Sequence, residues 1–469
     1  MRDLTQGSIR GHILSMSLPM LVGMLVQTLY FLVDLYFVSG VGKEAIAGVT
    51  AAGNGVMIVI ALTQMLSVGT VALVSHAAGA RDAPRANLAF NQSVLIALAC
   101  AVATLAGGLL ATPAYMRTLA ATPAIVTAGT TYLHWYLPGL ALQFALVVPG
   151  AALRGTGIAK PTMAVQLATV LVNIALAPVL VAGWGTGYAM GVAGAGLAST
   201  LAAAFGVVLM LAYFYRLEHY VAFSRRLMRP DWPTLRRMLQ IGLPSGGEFL
   251  LMFVLNSAIY TIIRAFGPDA QAGFGIGSRV MQALFMPTMA ISFAVPAVGG
   301  QNFGGQRPER VRETLKQALL LELVLMAITV GLCQAWAEVP VGWFTKDPSA
   351  AGVAVTFLRI ISWNFFAIGA VFACSGMFQA LGNTWPSLAS SATRLATFVG
   401  PTLWLSTQPG FRLVDTWHLS VASTYLQAVI SLLLIRWQLA VKLKGMGRGW
   451  DDPGNETSAA AARPGTPAR

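Results

Sequence analysis

Long apolar runs almost free of charge most restrict what this chain can become. The stretches 13–38, 46–75, 162–184 and 314–337 each reach the roughly 20 helical residues that cross a bilayer core. Apolar residues make up 56% of the chain and charged residues 10%, whereas a soluble domain carries about 25% charged residues. Lipid is the solvent that accommodates such a composition. In lipid each backbone polar group must be satisfied within its own element or a closed barrel. The two-residue alternation of barrel strands is absent, so the runs read as helices. The expected fold is an all-α polytopic membrane protein with twelve transmembrane helices near 13–38, 46–75, 88–110, 124–149, 161–184, 190–215, 235–263, 274–300, 314–337, 351–378, 386–406 and 416–440.

The formal charge of +13 invites a nucleic-acid reading, but its distribution speaks against one. An even helix number places both termini on one side, and the loops and termini of that side hold 21 of the 30 lysines and arginines against 5 on the other. The positive-inside rule then puts both termini in the cytoplasm; the expected location is a bacterial inner membrane, and the partner of the charge is the lipid bilayer and not nucleic acid. Cys100, Cys333 and Cys374 lie in apolar runs without metal-ligand spacing, so neither a disulfide framework nor a metal site is expected. No phosphate-binding Gly-Lys-Ser/Thr loop is present, and no cofactor is expected.

An internal repeat organises the runs. Leu18-Pro19 matches Leu243-Pro244, Gly42 and Gly48 match Gly267 and Gly273, Gly79 matches Gly304, and Gly157 with Pro161 matches Gly382 with Pro386. Every pair keeps one constant offset, the distance from Pro19 to Pro244. The expected domains are two parallel six-helix lobes, 1–220 and 221–445, followed by a disordered cytoplasmic tail, 446–469. Parallel repeats of this kind are transporter architecture, with the substrate site between the repeats near the bilayer midplane. A membrane-embedded enzyme would need clustered His, Asp, Glu or Cys at helical spacing, and no such cluster is present.

The chain resembles the multidrug and toxic compound extrusion (MATE) family. The resemblance rests on Leu4-Thr5-Gln6-Gly7, Leu18-Pro19, Val33-Asp34 with Phe37-Val38, Gly79 with Asp82, Leu153-Arg154-Gly155-Thr156-Gly157, Gly191 to Ala195, Gly242-Leu243-Pro244, Gly300 to Gly304, and Gln379 to Thr384. It implies V-shaped lobes that alternate in access, and antiport of small organic, cationic drug-like substrates against protons, with sodium as the alternative ion. A monomer suffices for this architecture. A lipid-linked precursor flippase of the same superfamily is a further alternative; such proteins commonly carry extra helices and a strongly cationic cavity.

Of the seventeen acids, Asp34, Glu248 and Glu322 fall inside expected helices. Intramembrane carboxylates mark functional sites by default. Gln27, Tyr30 and Asp34 share one face of the first helix by their i, i+3, i+7 spacing. Burial penalises the charged form of a carboxyl group, which lets such an acid exchange protons near neutral pH. The resemblance implies that Asp34 serves the coupling ion, together with Asn173 and with Ser199, where relatives commonly have threonine. It also implies a bending point at Pro19. Many relatives carry a second aspartate where this chain has Ala177, which favours the proton over sodium. Gln166 and Thr169 share the face of Asn173, and Tyr136, with Tyr132 and Gln143, is a candidate for the same cavity. Glu248, Met252 and Asn256 form a second candidate stripe at i, i+4, i+8. Arg279, Arg359 and Arg394 are expected to be buried bases in need of partners, Glu248–Arg279 being one pairing; Glu322 is expected to pair with a neighbouring helix, and His134 to serve packing.

Overall fold

The computed structural model describes residues 1–119, 122–218, 220–444 and 446, without the side chains of Phe31, Asp34, Leu35 and Asn54. Beyond Met446, the expected tail lies outside the described residues. Among the described residues the chain is helical throughout, with no strand. In order the helices are α1 (Ile9–Ser39), α2 (Lys43–Gly79), α3 (Ala83–Leu119), α4 (Pro123–Gly155), α5 (Lys160–Ala182), α6 (Val192–Arg216), α7 (Trp232–Ile263) and α8 (Pro268–Gly304). They continue with α9 (Pro308–Trp336), α10 (Glu338–Gly342), α11 (Pro348–Ile361), α12 (Asn364–Ala380), α13 (Trp385–Ser406) and α14 (Leu413–Leu443).

Ten of these are long and apolar enough to cross a membrane, and α11 with α12 forms an eleventh, broken crossing. The twelfth is α13, whose 22 residues span roughly 33 Å at about 1.5 Å per residue although it is richer in serine, threonine and arginine than the others. Twelve helices therefore match the sequence reading, with one correction. The expected single helix over 351–378 is bent by 56° between Ile361 and Asn364. Ser362 turns its hydroxyl back onto the Arg359 carbonyl at 3.0 Å, a local bond that competes with the helical ladder. Most helices also run one turn or more beyond the expected ends, because their polar first and last turns carry no apolar signal.

Local chemistry explains the ends. Asp231 caps α7, accepting from the Thr234 amide at 3.0 Å with Pro233 in the first turn. The arginine-rich segment before it forms a short 3-10 turn over Arg225–Met228, and Arg236 and Arg237 lie in the opening turns of α7. The repeat appears in backbone angles. Gly42 and Gly267 enter α2 and α8 at φ 146° and 93°, and Gly157 and Gly382 follow α4 and α12 at 83° and 65°. Such angles exclude most side chains, which is why glycine recurs at both members of each pair.

In lipid, helices associate through close packing more than through hydrophobic burial, so small residues mark their crossings. A Cβ on Gly48 of α2 would meet the Gly129 amide of α4 at 2.7 Å, and one on the equivalent Gly273 of α8 would meet Val353 of α11 at 2.6 Å. One core cluster joins Phe90, Met116, Phe144 and Phe214 of the first half. A second packs Ile9, Ile13 and Met16 of α1 against α8, α9, α12 and α14. A third gathers Phe274, Phe357, Phe365 and Trp417. Between the halves, α1 lies along α8 and α7 lies along α2, an exchange that obeys the equivalence of the two repeats.

Candidate functional site

Among the described residues, each half holds a cavity between its helices. The first has a volume of about 310 Å³ and is walled by α1, α2, α4, α5 and α6. Gln27, Tyr30, Gln166 and Thr169, read from helical spacing, line it together with Tyr136, Gln143, Ser199 and Pro19. Gln166 Nε2 donates to Gln27 Oε1 at 3.0 Å. The Tyr30 hydroxyl donates to Ser199 Oγ at 2.5 Å, and Asn173 Nδ2 donates to the same oxygen at 3.4 Å. Asn173 is fully buried, and its Oδ1 meets no hydrogen-bond donor among the described residues. A buried acceptor without a donor costs about 1–3 kcal/mol, so this oxygen is placed to receive a donor or a cation. Helix α1 continues unbroken through Pro19. Asp34 belongs to α1 one turn beyond Tyr30, but its side chain lies outside the described residues. Ala177 is fully buried and offers no oxygen to this region.

Sequence reasoning missed one strong feature of this cavity. Arg154, from the Leu-Arg-Gly-Thr-Gly motif, lines it together with Ser67 and Gln64. Its guanidinium donates to Ser67 Oγ at 2.6 Å. Thr63 and Ser67 stand at i and i+4 on α2, and Gln64 and Ser67 at i and i+3, a polar spacing that marks this wall in the sequence.

The second cavity, of about 120 Å³, contains Glu248, Met252 and Arg394 and shares Gln64 and Phe293 with the first. Three hydroxyls surround the Glu248 carboxylate. Ser387 Oγ lies 3.0 and 3.1 Å from its two oxygens, Ser391 Oγ donates at 3.0 Å, and Ser375 Oγ is 3.5 Å away. Ser387 and Ser391 occupy i and i+4 on α13, a spacing that the sequence already displayed. Asn256 corrects the expected stripe, because it is exposed and lines neither cavity. Eight helical residues turn through about 800°, which carries Asn256 roughly 80° off the face of Glu248.

The remaining intramembrane charges also depart from expectation. Arg279 and Arg359 are exposed, not buried. Arg359, in the last turn of α11 before the break, pairs with Glu338 at 2.5 Å. Among the described residues no ion pair joins Glu248 to Arg279. Arg394 alone of the three is partly buried, at the Glu248 cavity. Glu322 is buried between α8, α9 and α12 beside Gly369, and its oxygens have no hydrogen-bond partner among the described residues. Tyr132 packs on Tyr136 with ring centroids 5.3 Å apart, and His134 is exposed. Among the described residues no group of three His, Cys, Asp or Glu side chains is arranged to hold a metal ion.

Comparison with known proteins agrees with this architecture. The family model described as MatE matches twice, over residues 19–179 and 244–402, and the two matches start at the equivalent prolines of the repeat. The chain is 27% identical over 440 residues to a probable multidrug resistance protein, NorM, of Bradyrhizobium diazoefficiens, covering 92% of this chain and 93% of that protein. It is 23% identical over 393 residues to the FAD transporter of Shewanella oneidensis, covering 83% and 86% of the two chains. Among solved structures, a MOP superfamily transporter from Pyrococcus furiosus, described as having a binding pocket of reverse polarity, superposes with a TM-score of 0.87 at 25% identity, over 95% of this chain and 98% of that one. Double coverage by one family model, on a twelve-helix frame with a cavity in each half, places the chain in the multidrug and toxic compound extrusion family, whose members are membrane transporters and not enzymes.

Proposed function

We propose that the protein is a proton-driven exporter of small drug-like molecules that works by alternating access of two six-helix halves, 1–220 and 221–445, in a bacterial inner membrane with both termini cytoplasmic. The observation that carries this reading is the first cavity. Its wall brings Gln27, Gln166, Tyr30 and Ser199 together, backed by the Asn173 oxygen, which meets no donor among the described residues; Asp34 follows Tyr30 by one turn of α1. A proton needs a single carboxylate, whereas sodium prefers several hard oxygens; alanine at 177 removes one such oxygen source. In this scheme Asp34 takes up a proton on the outside and releases it inside. One proton crossing about 100 mV supplies about 2.3 kcal/mol, and each pH unit adds about 1.4, enough to drive export without ATP. In this scheme α1, unbroken here, bends at Pro19, which lacks an amide donor, as access alternates.

Substrate selection rests on the mixed lining of the two cavities. Amide, aromatic and methionine side chains adapt to varied organic shapes, and Arg154 adds a cationic point. That charge admits substrates with an anionic group, in keeping with the FAD transporter among the relatives. The sodium-coupled reading is favoured by one feature, the cluster of Glu248 with three serine hydroxyls, which offers several hard oxygens in the second half.

Purified protein in sealed vesicles, loaded with a fluorescent drug and given independent proton and sodium gradients, tests the proposal. Proton-dependent movement without sodium is expected; movement that follows only the sodium gradient would assign the coupling to the Glu248 cluster instead.

A further inference from the structure

A third concavity lies outside both cavities, where the halves meet at the arginine-rich end of the helices. It encloses about 460 Å³ and is lined by Arg85 of α3, Arg237 of α7, Lys442 of α14, His76 of α2, and Phe303 and Gln306 at the end of α8. No acidic residue lines it among the described residues.

Three cations therefore face one space, and the surrounding protein does not neutralise them. Ion pairs among the described residues involve Arg81, Arg359 and Arg412, and none involves these three. Lys442 Nζ donates to the Leu381 carbonyl at 2.5 Å and stands 5.9 Å from the Phe303 ring centroid. Arg237 donates to the Gly382 carbonyl at 3.3 Å. Carbonyl dipoles orient these groups but leave their charge in place. The Arg85 side chain is exposed and makes no hydrogen bond among the described residues. Nearby Asp82 accepts from the Arg85 backbone amide at 3.0 Å. Like charges gathered in one concavity repel unless an anion joins them. Basic pockets between helices on the cytoplasmic side are suited to anionic lipid headgroups.

We propose that this cavity binds a phosphate-bearing anion, supplied by the headgroup of an anionic phospholipid, and that the bound anion bridges the two halves. Arg85 approaches from the first half, and Arg237 and Lys442 from the second. Phe303 and Leu73 on the same wall give the glycerol and first methylenes of a lipid an apolar surface.

The test melts the purified full-length protein in detergent with phosphatidylglycerol, with phosphatidylcholine of the same chains, or with inorganic phosphate. Phosphatidylglycerol is expected to raise the melting temperature in a saturable way, and phosphatidylcholine is not. Arg85→Gln is exposed and free of side-chain bonds, so it leaves folding intact; it is expected to raise the half-saturating concentration about fivefold, the effect of one cation near an anionic surface. Arg237→Gln with Lys442→Gln is expected to raise it further. The control Arg225→Gln with Arg226→Gln, exposed on the linker, is expected to leave it unchanged. If inorganic phosphate alone gives the same Arg85-dependent shift and competes with the lipid, the anion site stands and its occupant comes from solution. Equal responses of the wild-type and Arg85→Gln proteins, or an equal loss in the linker control, would overturn the site.

Discussion

His76 and Gln301 are equivalent positions of the repeat and make the same bond in opposite directions across the two halves. His76 Nε2 donates to the Ala380 carbonyl at 2.6 Å, and Gln301 Nε2 donates to the Gly155 carbonyl at 2.9 Å. Their acceptors, Ala380 and Gly155, are separated in sequence by the same offset. Gln301 also receives the Leu4 amide at 2.9 Å, so it ties the N-terminal segment into the same junction. Gln301→Leu should therefore destabilise the protein more than His76→Ala, because it strands two buried backbone groups at about 1–3 kcal/mol each. Thermal unfolding in detergent measures the order, and a larger loss in His76→Ala would contradict it.

The same junction explains two glycines. A Cβ on Gly79 would collide with the Gln301 carbonyl, and one on Gly304 with the His76 carbonyl. Both obstacles are helix backbone, which cannot swing aside. Gly304→Ala is expected to cost about 1–3 kcal/mol by overpacking and to open the junction. Gly331→Ala, with open space around its Cβ, serves as the control and should be neutral or slightly stabilising. Comparing their melting temperatures decides the matter.

Asp34→Asn removes the proposed proton carrier while keeping its shape. Drug tolerance of a hypersensitive host should fall to the level of cells without the protein, with protein levels unchanged on a blot. Equal tolerance from the wild type and the variant would remove Asp34 from the coupling role. Ala177→Asp should make transport more dependent on sodium, measured as the ratio of rates at high and low sodium.

Ser387 holds both oxygens of Glu248, and a hydrogen bond to a charged group contributes about 1.5–3 kcal/mol. Ser387→Ala is expected to lower stability within that range. Ser387→Ala combined with Glu248→Gln should lose less than the sum of the single changes, since the two groups are in contact. Additive losses in a double-mutant cycle would show that the hydroxyl does not support the carboxylate.

Asp3 gives a pH dependence outside the membrane. Its carboxylate accepts from the Thr5 hydroxyl at 2.6 Å and the Thr5 amide at 2.8 Å, and it pairs with Arg81 at 3.4 Å. These contacts, led by the Thr5 hydroxyl, hold its pKa below the ordinary value of 3.8. A lowered folded-state pKa means that the contribution is present above the unfolded value and is lost as pH falls through the folded one. Amide exchange at Leu4, next to Thr5 in the junction, should therefore accelerate as pH falls below about 4 in the wild type after correction for intrinsic rates. The Asp3→Asn variant should lack that step.

Much of the frame was legible before any coordinates. The paired glycines at 42 and 267 and at 157 and 382 marked the repeat, and both members of each pair take a positive φ that favours glycine. The Gln27–Tyr30 and Gln166–Thr169 stripes reached one cavity because i, i+3 spacing keeps side chains on one helical face. The same logic failed for Asn256, where a longer interval let the face rotate away. It failed again at Ser362, because a bend that begins with one hydroxyl leaves no periodic trace.

The sequence by itself determined the number of apolar helices, the bias of charge toward one end and the two-fold repetition, because each of these is written along a single helix or in a fixed offset. Only the tertiary structure decided that Gln166 meets Gln27, that serines of α12 and α13 surround Glu248, and that Arg85 shares a cavity with Arg237 and Lys442. Those meetings depend on how helices far apart in the chain are rotated against one another. In lipid that rotation is set by close packing and by individual hydrogen bonds, which no pattern within one helix records.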